Sequence, residues 1–217
     1  GTSGAENSGN TTSNNYIYDF FNRDNVSSAG IYLSNNTTAC SITANSFYET
    51  NTFVPNFSST FNVIRIANSS GNNFTISNNY IGGTSPNCGT AGSVASWTKT
   101  NAESNKFYAI NIQAGTTNAS NVQGNTIKNF SLSNSSSDSA NFYGINVSGG
   151  SLNLGTTTGN TIGDTTGTGS ITFSIGTFSH GSLYGICITT DGTVDCRNNN
   201  IGSITTGGSS SSSPPIY

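Results

Sequence analysis

Residues 142–163 read FYGINVSGGSLNLGTTTGNTIG, and nearly all of them are small, hydroxylated, amide-bearing or glycine. Ile145, Val147, Leu152, Leu154 and Ile162 are the residues able to line an interior, with Phe142 and Tyr143 at the leading edge. The aliphatic residues sit at alternate positions, the period of a strand with one buried face. A closed globular core needs more apolar side chains than this. The fold must therefore share its core between many similar stretches.

Such stretches recur along the chain. One unit is Asn-x-[Ile/Phe], found at Asn15-Tyr16-Ile17, Asn45-Ser46-Phe47, Asn79-Tyr80-Ile81, Asn125-Thr126-Ile127, Asn160-Thr161-Ile162 and Asn199-Asn200-Ile201. A second is a small residue followed by two alternating apolar positions: Gly30-Ile31-Tyr32-Leu33, Val63-Ile64-Arg65-Ile66, Ala109-Ile110-Asn111-Ile112, Gly144-Ile145-Asn146-Val147 and Gly185-Ile186-Cys187-Ile188. From Ile31 to Asn45, Ile64 to Asn79, Ile110 to Asn125, Ile145 to Asn160 and Ile186 to Asn199 the intervals are 14, 15, 15, 15 and 13 residues. The return intervals, from Asn15 to Ile31 and onward to Ile186, are 16, 19, 31, 20 and 26. Half of each repeat is fixed in length and the other half varies, as when stacked coils carry insertions at one corner.

A third short strand precedes the Asn, in Cys40-Ser41-Ile42, Phe74-Thr75-Ile76, Ser120-Asn121-Val122 and Val194-Asp195-Cys196, while Leu152-Asn153-Leu154 stands further ahead of Asn160. The reading is an all-β, right-handed parallel β-helix of five to six coils, each with about three short strands. Stacked at about 4.8 Å, each coil needs only a few inward side chains, because its neighbours complete the column. Asn45, Asn79, Asn125, Asn160 and Asn199 recur at one turn, where stacked amides form a hydrogen-bonded ladder. They read as structural.

The composition agrees. Only 32% of the 217 residues are hydrophobic and 7% charged, yet the net charge is −3, Pro is scarce, and there are 9 Tyr and 12 Phe. Disordered chains combine low hydrophobicity with high charge and few aromatics. Six scattered basic residues make no nucleic-acid-binding patch, and no segment approaches the roughly 18 apolar residues of a membrane span. Residue 1 is Gly, so a signal peptide is expected to have been removed or to lie outside this sequence. Residues 1–208 read as one solenoid segment that begins mid-coil. Residues 209–217 are a Ser/Pro-rich insertion whose Ile216-Tyr217 matches Leu183-Tyr184, the lead-in to another coil. The expectation is a window on a longer solenoid, with like subunits or adjacent repeats as partners.

The stretches TISNNYIGG (75–83), QGNTIKNFSLSN (123–134), FYGINVSGG (142–150), GNTIGDTTGTGSITF (159–173) and NNNIGSIT (198–205) resemble the coils of large secreted right-handed parallel β-helix repeat proteins of Bacteroidetes-type bacteria. The resemblance covers nearly the whole chain. It implies an extracellular or cell-surface product, exported by the type IX route, with adhesive or fibrous roles. It also implies O-glycosylation at Asp-[Ser/Thr]-x, which Asp138-Ser139-Ala140 and Asp164-Thr165-Thr166 fit, so Ser139 and Thr165 are candidate acceptors.

Parallel β-helices also carry polysaccharide lyases and glycosidases, whose chemistry needs paired carboxylates. The nine acids do not recur at one coil position. The best constellation is Asp191, Asp195 and Arg197 with His180 in range, and its simpler reading is a turn shaped by Asp191-Gly192 beside an exposed ion pair. Asp19, Arg23 and Asp24 read as a polar salt link at a turn. Trp97, the single Trp, lies in the longest return segment, where it either stacks on a sugar or pins the insertion to the solenoid. The four Cys show no metal-ligand spacing, and with one His there is no zinc set. Cys187 and Cys196 are near enough in sequence to bridge, or remain free thiols. No cofactor is expected. The leading expectation is a non-catalytic segment of a surface fibre or adhesin, a structural protein contacting like chains and surface glycans. The alternative is a carbohydrate-active enzyme or a carbohydrate-binding module.

Overall fold

A computed structural model of the chain describes residues 6–89, 95–101, 103–134, 140–175, 181–208 and 216. All regular structure among them is β, in parallel pairs. A first sheet stacks Ser28–Leu33, Thr60–Ala67, Lys106–Gln113, Ala140–Gly149 and Gly181–Ile188. A second stacks Thr11–Ser13, Ser41–Thr43, Thr75–Ser77, Ser120–Gln123, Leu152–Leu154 and Val194–Cys196. A third stacks Tyr16–Tyr18, Ser46–Tyr48, Tyr80–Ile81, Thr126–Ile127, Thr161–Gly163 and Asn200–Gly202. The chain visits the sheets in turn and comes back one rung higher, so the molecule is a parallel β-helix.

The register is that of the repeats. Ile31, Ile64, Ile110, Ile145 and Ile186 form one inward row of the first sheet. Ile42, Ile76, Val122 and Leu154 line the second, and Phe47, Ile81, Ile127 and Ile162 the third. All of these side chains are fully buried except Ile31 and Ile186 in the outermost rungs, which are partly buried. Gly144 stands at a close approach between coils: a Cβ there would lie 2.6 Å from the Gly185 carbonyl oxygen and 3.0 Å from Ile162. That close approach accounts for the small residue that opens most copies of the unit.

The return half differs from the expectation of three strands per coil. It holds a fourth sheet of Trp97–Lys99, Phe130–Asn134, Ile171–Ile175 and Ile204–Gly208. Insertions of unequal length lie on either flank of it, so its strands stand at no constant distance from the Asn and escape a spacing argument. The displaced Leu152–Leu154 strand keeps its register against Ser120–Val122. The extra residues 155–159 loop out between the second and third sheets, opened by Gly155 at φ 69°. At the far end Ile216 pairs with Leu183, the partner its sequence match indicates. Residues 209–215 lie outside the described residues.

Candidate functional site

The most buried polar groups are the turn asparagines. The residue before the Asn is left-handed in five of six coils, at Asn14, Ala44, Asn78, Gly124 and Asn198, with φ between 55° and 63°. This kink swings the next side chain inward. Asn45, Asn79, Asn125 and Asn160 have no solvent exposure, so each amide must be satisfied internally. Asn79 Nδ2 donates to Asn125 Oδ1 (2.9 Å) and to the Ile42 carbonyl (2.9 Å), while its backbone N–H donates to the same Asn125 Oδ1 (3.1 Å). Asn125 repeats the pattern onto Asn160 and Ile76, and Asn160 onto Asn199 and Val122. The row begins at Asn15, which donates to Asn45 Oδ1. The hydrogen bonds thus run unbroken from Asn15 to Asn199.

The outward rows carry hydroxyls and amides. On the first sheet they read Tyr32, Arg65, Asn111, Asn146 and Cys187, with Asn146 Nδ2 donating to Asn111 Oδ1 and Asn111 Nδ2 to Asn62 Oδ1 (both 2.9 Å). Beside them Tyr108, Tyr143 and Tyr184 stack at 4.4 and 4.7 Å. Their ring faces cover one another, and burial pushes the Tyr108 and Tyr143 hydroxyls up. The second sheet presents Ser41, Thr75, Asn121, Asn153 and Asp195 in one row. Asp195 pairs with Arg197 at 2.6 Å, with both side chains substantially exposed. Asp191 is exposed, and His180 lies outside the described residues.

Several sequence expectations change here. Trp97 is wholly buried, packed against Phe20, Phe21, Phe107 and Phe130. It pins the insertion, and its ring is closed to sugars. Cys187 and Cys196 are both free thiols: Cys187 stands in the outward row of the first sheet and Cys196 in the inward row of the second, so they face apart. The salt link at Asp19, Arg23 and Asp24 is replaced by contacts between coils. Asp19 accepts from Thr50 N and Oγ1, Arg23 Nε donates to the Val54 carbonyl, and Asp24 accepts from Asn56. Thr165 is exposed beside Asp164, whose carboxyl is held below its ordinary value by the Thr165 N–H and by Lys128 at 3.2 Å. Ser139 lies outside the described residues.

Two ionisable groups, Glu49 and Lys99, are buried where the sequence alone gives no sign of it. Glu49 is 5% exposed, and its Oε1 has no partner. Burial, and then the stacked Asp19 carboxylate, push its carboxyl up to about 8, so at neutral pH it is mainly protonated and hydrogen-bonded to Asp19. Lys99 is 7% exposed and points inward because it stands in register with Leu132. Its Nζ donates to the Glu103 carbonyl (2.7 Å) and the Ser133 carbonyl (2.8 Å), and burial lowers it to about 8. Each has one ionisable neighbour, Asp19 beside Glu49 and Glu103 beside Lys99. The cavity beside Lys99, walled by Phe53, Phe61, Trp97 and Phe107, holds about 20 Å³, scarcely one water. A larger polar groove of about 620 Å³, lined by Glu6, Asn35, Asn36, Thr37, Asn68 and Ser69, contains one carboxyl. Among the described residues no three His, Cys, Asp or Glu side chains gather as a metal set, and no helix is long and apolar enough to cross a membrane.

No protein-family model, no curated protein and no solved structure matches the chain.

Proposed function

We propose that the chain is a non-catalytic scaffold: a structural segment of an extracellular or cell-surface β-solenoid of the fibre or adhesin kind. The observation that carries this reading is the asparagine ladder. Each rung commits its most buried polar side chain to the rung above, and the apolar rows do the same. The chemistry of such a segment is mechanical. Dense backbone pairing resists proteolysis, and an amide and hydroxyl surface with few charges stays hydrated and offers hydrogen bonds to glycans or to neighbouring fibres. The resemblance to secreted repeat proteins of Bacteroidetes-type bacteria supports the surface location and glycosylation at Thr165.

The alternative, a carbohydrate-active or carbohydrate-binding module, draws on the groove at Glu6. One experiment separates them. The purified chain is incubated with a panel of neutral and acidic polysaccharides, reading new reducing ends and unsaturated uronate absorbance, and is imaged in parallel by electron microscopy. The scaffold reading expects short rods and no turnover. Turnover that is abolished by Glu6→Gln or Asp195→Asn overturns it.

A further inference from the structure

The corner between the fourth and first sheets brings an amine and a carboxamide to one cavity. Lys99 is the last residue of the Trp97–Lys99 strand, and Asn105 stands immediately before the Lys106–Gln113 strand. Both side chains are buried, and both line the cavity of about 20 Å³ walled by Phe53, Phe61, Trp97 and Phe107. These residues belong to inner coils with chain paired on both sides, so their burial owes nothing to either end of the solenoid.

The carboxamide of Asn105 is fixed in orientation. Its Nδ2 donates to the Phe57 and Ser59 carbonyls (3.1 and 3.3 Å), which sets the plane of the amide. Its Oδ1 is buried and accepts nothing among the described residues. Buried polar atoms are rarely left so, and this one calls for a reason. Lys99 is held just as firmly: Nζ donates to the Ser133 carbonyl and to that of Glu103, two residues before Asn105. Burial brings its titration to about 8, so free amine is present near neutrality. In that form two N–H bonds serve the two carbonyls, and the lone pair takes the remaining tetrahedral position. Nucleophile and electrophile are thus immobilised against the same small space, an arrangement that makes an intrinsically slow exchange feasible.

We infer that Lys99 and Asn105 condense into an intramolecular amide, Nζ to Cγ, that staples this corner of the coil. The Nζ–Cγ bond forms and the Cγ–Nδ2 bond breaks. One proton passes from Nζ to Nδ2, which leaves as ammonia, so the step is neutral and needs no co-reactant. A carrier for that proton lies beside the leaving group. Glu103 Oε2 accepts from Ser58 Oγ (3.1 Å), and Ser58 sits between the two residues whose carbonyls hold Nδ2. The bond removes a buried cation from the aromatic cluster and locks the return half where the repeating rows give no support. It is independent of the scaffold reading, which polysaccharide turnover decides.

Intact mass supplies the test. The unaltered chain, held above pH 8 to populate the free amine, is expected to weigh one ammonia less than its sequence. After denaturation trypsin should no longer cut after Lys99, and cleavage after Glu103 should leave the flanking pieces joined. Lys99→Arg should restore the full mass. Full mass in the unaltered chain, with trypsin cutting after Lys99, overturns the proposal whether or not the variant folds. An ammonia loss that persists in Lys99→Arg marks a succinimide elsewhere and overturns it as well. A link to Asn134, whose side chain lines the same cavity, overturns the assignment to Asn105.

Discussion

The two halves of each coil are stabilised by different means. The fixed half, from the first sheet through the second to the third, repeats one solution: aliphatic rows and the asparagine ladder, with the amide placed in five of six coils by a left-handed residue before it. The return half has no common solution. It buries Phe21, Phe53, Phe61, Trp97, Phe107 and Phe130 in an aromatic cluster, and it holds the buried Glu49 and Lys99. Repetition lets a short polar stretch fold because each rung borrows its core from its neighbours. Where loop lengths vary that borrowing fails, and large side chains must fill the volume locally. Ionisable groups then become trapped in the packing.

The comparison is broken most severely in the middle of the ladder. Asn125→Ala removes the acceptor of Asn79 N and Nδ2 and the donor to Ile76 and Asn160. At about 1–3 kcal/mol for each buried group left unpaired, a loss of roughly 4–6 kcal/mol is expected in urea unfolding. Asn199→Ala removes only the acceptor of Asn160 N and Nδ2, in part-buried bonds that water can partly replace, so a smaller cost of about 2 kcal/mol is expected. Equal costs would mean that the ladder does not stabilise by continuity. In the return half, Trp97→Ala should cost about 3–5 kcal/mol and leave the fixed half folded, which amide exchange of residues 120–127 and 160–162 would check.

A pH series sharpens the contrast further. The Glu49 carboxyl titrates near 4.5 when unfolded and near 8 when folded, so the folded state holds the extra proton between those values. Its contribution is complete below about pH 4.5 and is lost as pH rises through 8. The unaltered chain should therefore lose on the order of 3 kcal/mol of stability between pH 5 and 8.5 relative to Glu49→Gln, measured as a divergence of melting temperatures. Parallel curves for the two proteins would refute a protonated Glu49. Lys99 titrates in the opposite sense only above about pH 8, outside most of that window. The smallest effect is expected at the exposed Arg197–Asp195 pair, where Arg197→Ala should change stability by less than about 0.5 kcal/mol.

The fixed half was legible in the sequence, because a constant interval from Ile145 to Asn160 and its equivalents can be counted without knowing the structure. The register of Ser41, Thr75, Asn121 and Asp195, each four residues before its Asn, followed from the same count, whereas Asn153, seven before Asn160, joins that row only through its pairing with Asn121 and Asp195. The fourth sheet did not. Trp97-Thr98-Lys99 and Phe130-Ser131-Leu132 alternate as strands should, but they begin 16 and 3 residues after Ile81 and Ile127, and a pattern with no fixed phase looks like loop. The fate of Trp97 depended on that missing ladder, since its register with Phe130 is what drives the ring inward. Glu49 and Asp19 are stacked across 30 residues of sequence, and only the Tyr18–Tyr48 pairing brings them together. The separation of Cys187 from Cys196 is likewise a matter of facing, on two different sheets, that proximity in sequence does not reveal.

The unbroken registry of the third sheet bears on the length of the molecule. A rung has obligations only to the rungs directly above and below it, and the obligations at Asn79 and Asn125 are the same. Joining Asn79 directly to Thr126 would excise one complete turn and leave Asn79 to donate to Asn160. The number of turns is thus a free variable that recombination between similar coils can raise or lower in whole steps, without a new core having to be invented each time.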